Sequence, residues 1–555
     1  MPGSRNTGAE LFVRAMRELR LDTVFTLVGD HLNEVLREMA KAEIRIVDMR
    51  HESGVVHAAD AYARTTRKPA LSLVTGGPGH TNSLTGIATA WLNLSPVIAV
   101  SGSRSTAVAE RGAFQDIDQA GMARPVVKWA AEPPGAAQLP FYLSKAYSTA
   151  NSGRRGPVHL TIPTDVFDAP TDAPFAMPRQ AAENPGEPDD ATVRDALAMM
   201  RAARRPVVIA GSGVWWSHGE AELLRFIEHT GFPLYTAALA KGAVPDTHPL
   251  CFGYPDPALN QAARRALAET DLILVVGKRI DYRLALGSAK LLSSSAKCIQ
   301  IDIHGPEPGM NRQVDLAIGA DAAKTLRKLT DHAGAPWSEL PWLATLREYR
   351  DAWREEVAAR AAAGPGPLHP VAFYLELQKH LPPETIVSWD GGEFVQWGRT
   401  MMPATGPGRW LRLGPLGTIG AGLPHAIALQ VAHPEQRVVV ITGDGSLGFY
   451  IAEMDTAVRH KLPLVIIVGN DAGWGLEREL QGVTDTVACE LLPTRYDKVM
   501  EGFGGGGETI WSAEQLAPAL DRAFAAGIPY LINVRIRGAR SPFTEWQLAG
   551  KPARK

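Results

Sequence analysis

Runs of β-branched and apolar residues that close on glycine or a small polar residue recur along the chain, separated by stretches whose apolar positions return at helical spacing. Val24–Val28, Ile44–Asp48, Ala70–Thr75, Val97–Ser101 and Val158–Ile162 form one group. Arg205–Ala210, Asp271–Val276 and Lys297–Ile303 form a second, and Val438–Thr442 and Leu464–Val468 a third. Parallel strands need a crossover of about a dozen residues or more, usually a helix, and the spacings here are of that kind. The pattern predicts an α/β protein built on parallel sheets. Its first helix is marked by Thr7 and Glu10 at capping-box spacing, ahead of Leu11, Phe12, Ala15, Met16 and Leu19.

Two breaks in composition divide this pattern. Residues 171–192 hold four prolines among small and acidic residues, and Gly364-Pro365-Gly366-Pro367 follows a polar, alanine-rich helix. Both have the composition of exposed linkers. Three Rossmann-like domains are expected at residues 1–170, 190–345 and 368–537, with a tail at 538–555. The 57 Lys and Arg against 59 Asp and Glu residues give no electrostatic footprint for nucleic acid or a membrane surface. Cys251, Cys298 and Cys489 are odd in number and not spaced as metal ligands, which fits a reducing compartment. The N-terminus lacks the apolar core of a signal peptide and no apolar run reaches membrane-spanning length, so a cytoplasmic location is expected.

The third group of strands ends in two polar turns, Gly443-Asp444-Gly445-Ser446 and Gly469-Asn470-Asp471-Ala472-Gly473. Asp444 and Asp471 would project from adjacent carboxyl ends of the sheet, where open α/β sheets bind ligands. Two carboxylates, backbone carbonyls and a glycine-opened helix N-terminus suit Mg²⁺ bridging a diphosphate, because the hard cation takes oxygen ligands and leaves room for phosphate.

GDGS followed, 27 residues after its Asp, by the second position of an N-D-x-x-W-G segment resembles the thiamin diphosphate motif. The resemblance implies metal ligands at Asp444, Asp471 and the Gly473 carbonyl, and cofactor contacts from Gly443, Gly445, Ser446, Trp474 and Gly475. The family's usual second ligand is Asn, so Asp471 is a departure that adds negative charge beside the diphosphate. The stretch RHESGVVHAADAYAR resembles the segment whose Glu hydrogen-bonds the cofactor's aminopyrimidine, which gives Glu52 the proton-relay role. GPLGTIG resembles the loop that bends the cofactor, with the Gly417 carbonyl toward the aminopyrimidine and Ile419 wedged between the rings. Asp390-Gly391-Gly392-Glu393-Phe394 resembles the loop against the diphosphate, and implies contacts from Gly392, Glu393 and Phe394, although Glu393 is an odd neighbour for phosphate.

The resemblance covers nearly the whole chain, in the domain order of the acetolactate synthase, oxalyl-CoA decarboxylase and benzaldehyde lyase group. The LVGDH segment and the run after Asp444 look closest to benzaldehyde lyase and the 2-hydroxyacyl-CoA lyases. It implies active-site roles for His31 and for Gln115 of the Phe114-Gln115 pair, and it places ADP or, less readily, the ADP half of FAD against Gly211, Arg279, Asp302 and Asp321. Arg399 is the candidate contact for CoA phosphate, and Glu490 a speculative acid–base partner that a closed tail would press toward the site. The tail carries Phe543 and Trp546 among basic residues, suited to stacking on adenine and meeting phosphate, or to a frayed basic end. The expected activity is thiamin-dependent cleavage of a 2-hydroxyacyl-CoA to formyl-CoA and an aldehyde or ketone. A carboligase, a 2-oxoacid or oxalyl-CoA decarboxylase and an acetolactate synthase are the alternatives, in a homodimer or homotetramer with sites between subunits. A nucleotide-binding regulatory protein that kept the fold without the chemistry is disfavoured by the intact set Glu52, Asp444 and Asp471.

Overall fold

A computed structural model describes residues 6–178, 185–362, 367–482 and 485–549. The predicted apolar runs become strands of three all-parallel sheets, one per expected domain. In the first domain, β1 (Thr23–Leu27), β2 (Arg45–Asp48), β3 (Ala70–Val74), β4 (Val97–Ser103), β5 (Ala130–Ala131) and β6 (Val158–Pro163) lie in the order 2-1-3-4-6-5. Thr7 and Glu10 form the expected capping box of α1 (Gly8–Glu18). The middle domain holds β7 (Pro206–Ala210), β8 (Leu234–Thr236), β9 (Leu272–Val276), β10 (Lys297–Ile301) and β11 (Leu316–Ile318), in the order 8-7-9-10-11.

The third domain repeats the topology of the first. Its strands β12 (Ile386–Asp390), β13 (Trp410–Arg412), β14 (Val438–Gly443), β15 (Val465–Asn470), β16 (Gly506–Ile510) and β17 (Tyr530–Arg535) run 13-12-14-15-17-16. In both domains the strand order reverses beside the first strand, which opens a crevice at the carboxyl edge between β1 and β3 and between β12 and β14. His31 follows β1, and Asp390 and Asp444 close or follow β12 and β14.

The first and third domains share one core. Helices α2 (Glu52–Thr66) and α3 (Pro78–Asn93) of the first pack with α5 (Gly422–Ala432) of the third, and Val55, Val56, Ala59, Ile87, Ile427 and Leu429 belong to a single buried cluster. Each large aliphatic side chain so buried contributes roughly 1.5–3 kcal/mol. Gly86 permits the close approach of α3 to α2, since a Cβ there would lie 2.6 Å from Val56 Cβ and 3.0 Å from the Ser53 carbonyl. Polar groups cross the same seam: Asp60 pairs with Arg64 at 3.1 Å and accepts from Asn93 at 2.9 Å, and Arg64 donates to the Arg412 carbonyl at 2.6 Å. Asn93 also fixes the start of the loop after β13. Gly414 there has φ +94°, and a Cβ on it would lie 1.7 Å from Asn93 Oδ1.

Sequence and structure part at the tail. Residues 550–555 lie outside the described residues, as do 179–184 of the first linker and 363–366 of the second. The described part of the tail forms α8 (Pro542–Ala549), docked against α4 (Glu393–Met401). Glu393 is the anchor: its carboxylate accepts from the Ser541 amide and the Thr544 hydroxyl, while Trp397 Nε1 donates to the Ala539 carbonyl at 2.9 Å. The Glu393 carboxylate is thus turned into the tail, and burial pushes it up to about 7. No helix among the described residues is long and apolar enough to cross a membrane. Glu393→Ala strands a buried amide and a buried hydroxyl, each costing about 1–3 kcal/mol. We expect a lowered Tm and faster proteolytic release of the segment after Gly538, measured by limited proteolysis and mass spectrometry.

Candidate active site

Three turns of the third domain converge at its crevice. Asp444 opens the short helix α6 (Asp444–Leu447) and is 2% exposed, and its Oδ2 accepts from the Gly473 amide at 3.1 Å. Burial, and then the charge of Asp471, push its carboxyl up to about 7. Burial likewise raises Asp471, against the pull of Arg478. Two buried carboxylates beside a turn of backbone make an oxygen-donor set able to take a divalent cation together with phosphate. No group of three or more His, Cys, Asp or Glu side chains placed to hold a metal occurs among the described residues. Two side chains with a carbonyl leave coordination places for a ligand's own oxygens.

The neighbouring glycines form the floor. Gly391, at φ +121°, stands against Ser446 Oγ, the side of Gly443 is open, and the Trp474 ring covers Gly445. Gly475 opens α7 (Gly475–Gln481) directly over Asp471 and Gly392 packs on Leu476. Phe394 does not face this crevice: it is buried with Phe373 and Tyr374 behind Gly469. Asp390, which sequence reasoning took only as the start of the loop, clamps the loop bearing Gly417 and Ile419. Its two oxygens accept from the amides of Gly420 at 3.1 Å and Gly422 at 2.9 Å, and burial raises its carboxyl to about 7.

On the first domain, His31, Gln115 and Glu52 gather around the turn after β3. His31 Nδ1 meets Thr75 Oγ1 at 2.8 Å, and its Nε2 has no protein partner among the described residues. Gln115, at φ +59°, folds over Gly77, with Oε1 buried and unpaired. Glu52 is the first residue of α2, whose cap His51 accepts from the Ser53 amide at 3.1 Å. Asn82 donates to Glu52 Oε2 at 3.0 Å, and a Cβ on Gly79 would lie 3.7 Å from Oε1. Among the described residues no hydrogen bond or ion pair joins this trio to Asp444, Asp471 or Gly473. Phe114 beside the trio is 78% exposed, and Phe449 and Leu492 near the third-domain turns are exposed as well.

Glu490 is no free acid. Both of its oxygens accept from Arg478, at 3.0 Å each. Arg399 lies away from the Asp444 turns. It is buried, donates to Gln396 Oε1 at 2.6 Å, and lines a cavity of about 1000 Å³ bounded by all three domains. Arg279, Asp302 and Asp321 line the same cavity, so the nucleotide and CoA candidates share one space. Gly211 stands behind its wall, against Lys278, while Ser212 and Gly213 face it. Burial raises the Asp302 carboxyl. At the third-domain end, burial and the neighbouring Arg283 lower Arg399 to about 10, and the same causes lower Arg412. The chain sequence carried signals for some of these: a basic residue seven positions after an acidic turn residue, as Arg478 is to Asp471, invites the question of what it offsets.

Comparisons with known proteins agree with the geometry. The family model of the thiamine pyrophosphate enzyme N-terminal TPP binding domain matches residues 6–122, that of the central domain 193–329, and that of the C-terminal TPP binding domain 390–534. The chain belongs to the thiamine pyrophosphate enzyme family. A probable acetolactate synthase of Mycobacterium bovis is 34% identical over 96% of both chains. The 2-hydroxyacyl-CoA lyase 2 of Caenorhabditis elegans is 30% identical over 94% of this chain and 88% of its own. Human 2-hydroxyacyl-CoA lyase 1 is 29% identical over 96% and 94%. The protein is a thiamin diphosphate-dependent enzyme of lyase or carboligase type.

The raised carboxyls give a stability signature in cofactor-free protein. A folded-state value above the ordinary carboxylate range means that the native chain holds more protons than the unfolded one between about pH 4 and 7. Stability is then greatest below the ordinary value and lost as pH rises through 7. Because Asp471 is part of the cause at Asp444, Asp471→Asn should lose less stability between pH 5 and 8 than the unmodified protein. The difference, on the order of 1 kcal/mol, is readable by urea denaturation at each pH.

Proposed function

We propose that the protein cleaves a 2-hydroxyacyl-CoA to formyl-CoA and an aldehyde or ketone, using thiamin diphosphate held through Mg²⁺ by Asp444, Asp471 and the Gly473 carbonyl. The observation that carries this reading is the gathering of His31, Gln115 and Glu52 at one turn of the first domain. When bound, thiamin diphosphate supplies the electron sink for the pair released by carbon–carbon cleavage. Glu52, oriented by Asn82, holds and returns the proton exchanged with the aminopyrimidine. His31, fixed through Nδ1 on Thr75, presents Nε2 to take the substrate's 2-hydroxyl proton. As that proton leaves, C2 becomes a carbonyl and the C1–C2 electrons pass to C1, whose later protonation gives the formyl thioester. Gln115 orients the reacting centre, and Ile419 and Gly417 hold the cofactor's bend. Substituting Glu52 with Gln keeps the shape and removes the proton acceptor. Cofactor should still bind, while hydrogen–deuterium exchange at the thiazolium C2 slows about 100-fold or more.

In this reading the complete site takes the His31 trio from one copy and the Asp444 turns from another, in a homodimer or homotetramer. The exposed Phe114, Phe449 and Leu492 fit burial on such a partner. The three buried, unpaired thiols suit a reducing compartment, and the cytoplasm is the proposed location.

The second reading is an acetolactate synthase, favoured by the 34% identity to the mycobacterial protein. Incubating thiamin-loaded enzyme with 2-hydroxyacyl-CoAs, free 2-hydroxyketones and 2-oxoacids, with products read by mass, separates the two. Formyl-CoA from the thioesters supports the lyase. Acetolactate from pyruvate, with the thioesters untouched, replaces it.

For the large cavity the proposed occupant is ADP, with Asp302 toward the ribose and the arginines toward phosphate. ADP should raise Tm by mass action, and Asp302→Ala should diminish the shift. If FAD copurifies and ADP shifts nothing, the synthase reading gains.

A further inference from the structure

An acidic residue at position 471 sets a physical problem: it stands beside Asp444 at the place where, in the reading above, a diphosphate must lie. Its like charge opposes both. The side chain that answers it is Arg478, one turn into α7. Arg478 Nη1 donates to Asp471 Oδ2 at 3.1 Å and Nη2 to the Ala472 carbonyl at 3.3 Å. Nε and Nη2 each reach a Glu490 oxygen at 3.0 Å. The turn is shaped to receive this guanidinium: a Cβ on Gly473 would lie 1.9 Å from Nη2. Glu490 is 65% exposed and Asp471 only 10%. Water screens the outer pair and leaves the inner one strong, so Glu490 fixes the fork's direction while its charge is felt mainly by Asp471.

We infer that Arg478 is a positioning residue that offsets the charge of Asp471, so that Asp471 can offer Oδ1 to the cation without repelling the diphosphate. The inference rests on the cation-bridged reading of this corner. It also accounts for Glu490, whose part is to hold Arg478 in place. Arg478 acts through its contact with Asp471.

The test is a double-substitution cycle with binding as its readout. Thiamin diphosphate affinity at saturating Mg²⁺ is measured by calorimetry for the unmodified protein, Arg478→Met, Asp471→Asn and the double variant. Mn²⁺ binding without cofactor is followed by electron paramagnetic resonance. Arg478→Met should weaken the cofactor about tenfold, in the middle of the range for contacting charged groups, without weakening Mn²⁺ alone. Adding Asp471→Asn to it should return cofactor affinity to within about twofold of the unmodified protein, the usual limit of additivity. Arg478→Lys, which keeps the charge, should bind cofactor nearly as the unmodified protein does. That variant and a Tm for each protein separate loss of charge from loss of fold. Unchanged affinity in Arg478→Met, or losses that simply add in the double variant, would overturn the role of Arg478. Cofactor binding by the unmodified protein that survives chelation of all cations would remove the cation reading itself, and this inference with it.

Discussion

The packing of α2 against α3 and α5 constrains everything that the chemistry uses. Small and β-branched side chains let these helices approach closely, and Gly86 marks the narrowest point. The N-terminus of α2 carries Glu52, and the amide of Arg50 just before it donates to the buried Glu453 of the third domain at 3.1 Å. Farther along the same helix, Arg64 holds the Arg412 carbonyl, from which the chain runs into the loop bearing Gly417 and Ile419. One seam therefore sets the height of Glu52 and the root of the loop bearing Gly417 and Ile419 together. An ion pair buried to this degree is weak evidence for stability on its own, since desolvation consumes much of its attraction. Its value here is register, because Arg64 reaches the Arg412 carbonyl and Asn93 the Leu413 carbonyl only when the domains sit in this one relation.

Much of this was legible in the chain sequence, because strand periodicity and turn chemistry are local. The long apolar runs are strands to within a residue or two, and the two acidic turns do end adjacent strands. The short strands Ala130–Ala131, Leu234–Thr236, Leu316–Ile318 and Trp410–Arg412 escaped, since two or three residues carry no period, and the longer Ile386–Asp390, Gly506–Ile510 and Tyr530–Arg535, whose runs are broken by polar residues or glycine, escaped as well. The positions of Asp444, Asp471 and the trio around Thr75 on the fold were legible, because a backbone turn fixes each. Side-chain direction was not. Glu393, Phe394, Glu490 and Arg399 lie on the expected elements, but each points elsewhere: into the tail, into the core, onto Arg478 and into the interdomain cavity. Spacing along a chain records neither rotamer nor partner.

Asp390, Glu393, Asp444 and Glu453 are buried acids with values pushed to about 7. Burial is the first cause in each, and each lies at a joint: loop clamp, tail anchor, ligand turn and domain seam. A carboxylate out of water costs stability, and it is retained where its two oxygens can organise backbone amides or ligands that an apolar side chain cannot.

The contact between Gly414 and Asn93 has a consequence for protein engineering. With a Cβ excluded at Gly414 and φ in the left-handed region, the root of the cofactor loop has no slack. Libraries therefore gain nothing from varying this root, since any side chain there displaces Asn93 and the loop that follows. Latitude lies instead at Val28, which follows β1 and whose exposed side chain can change size without moving that loop.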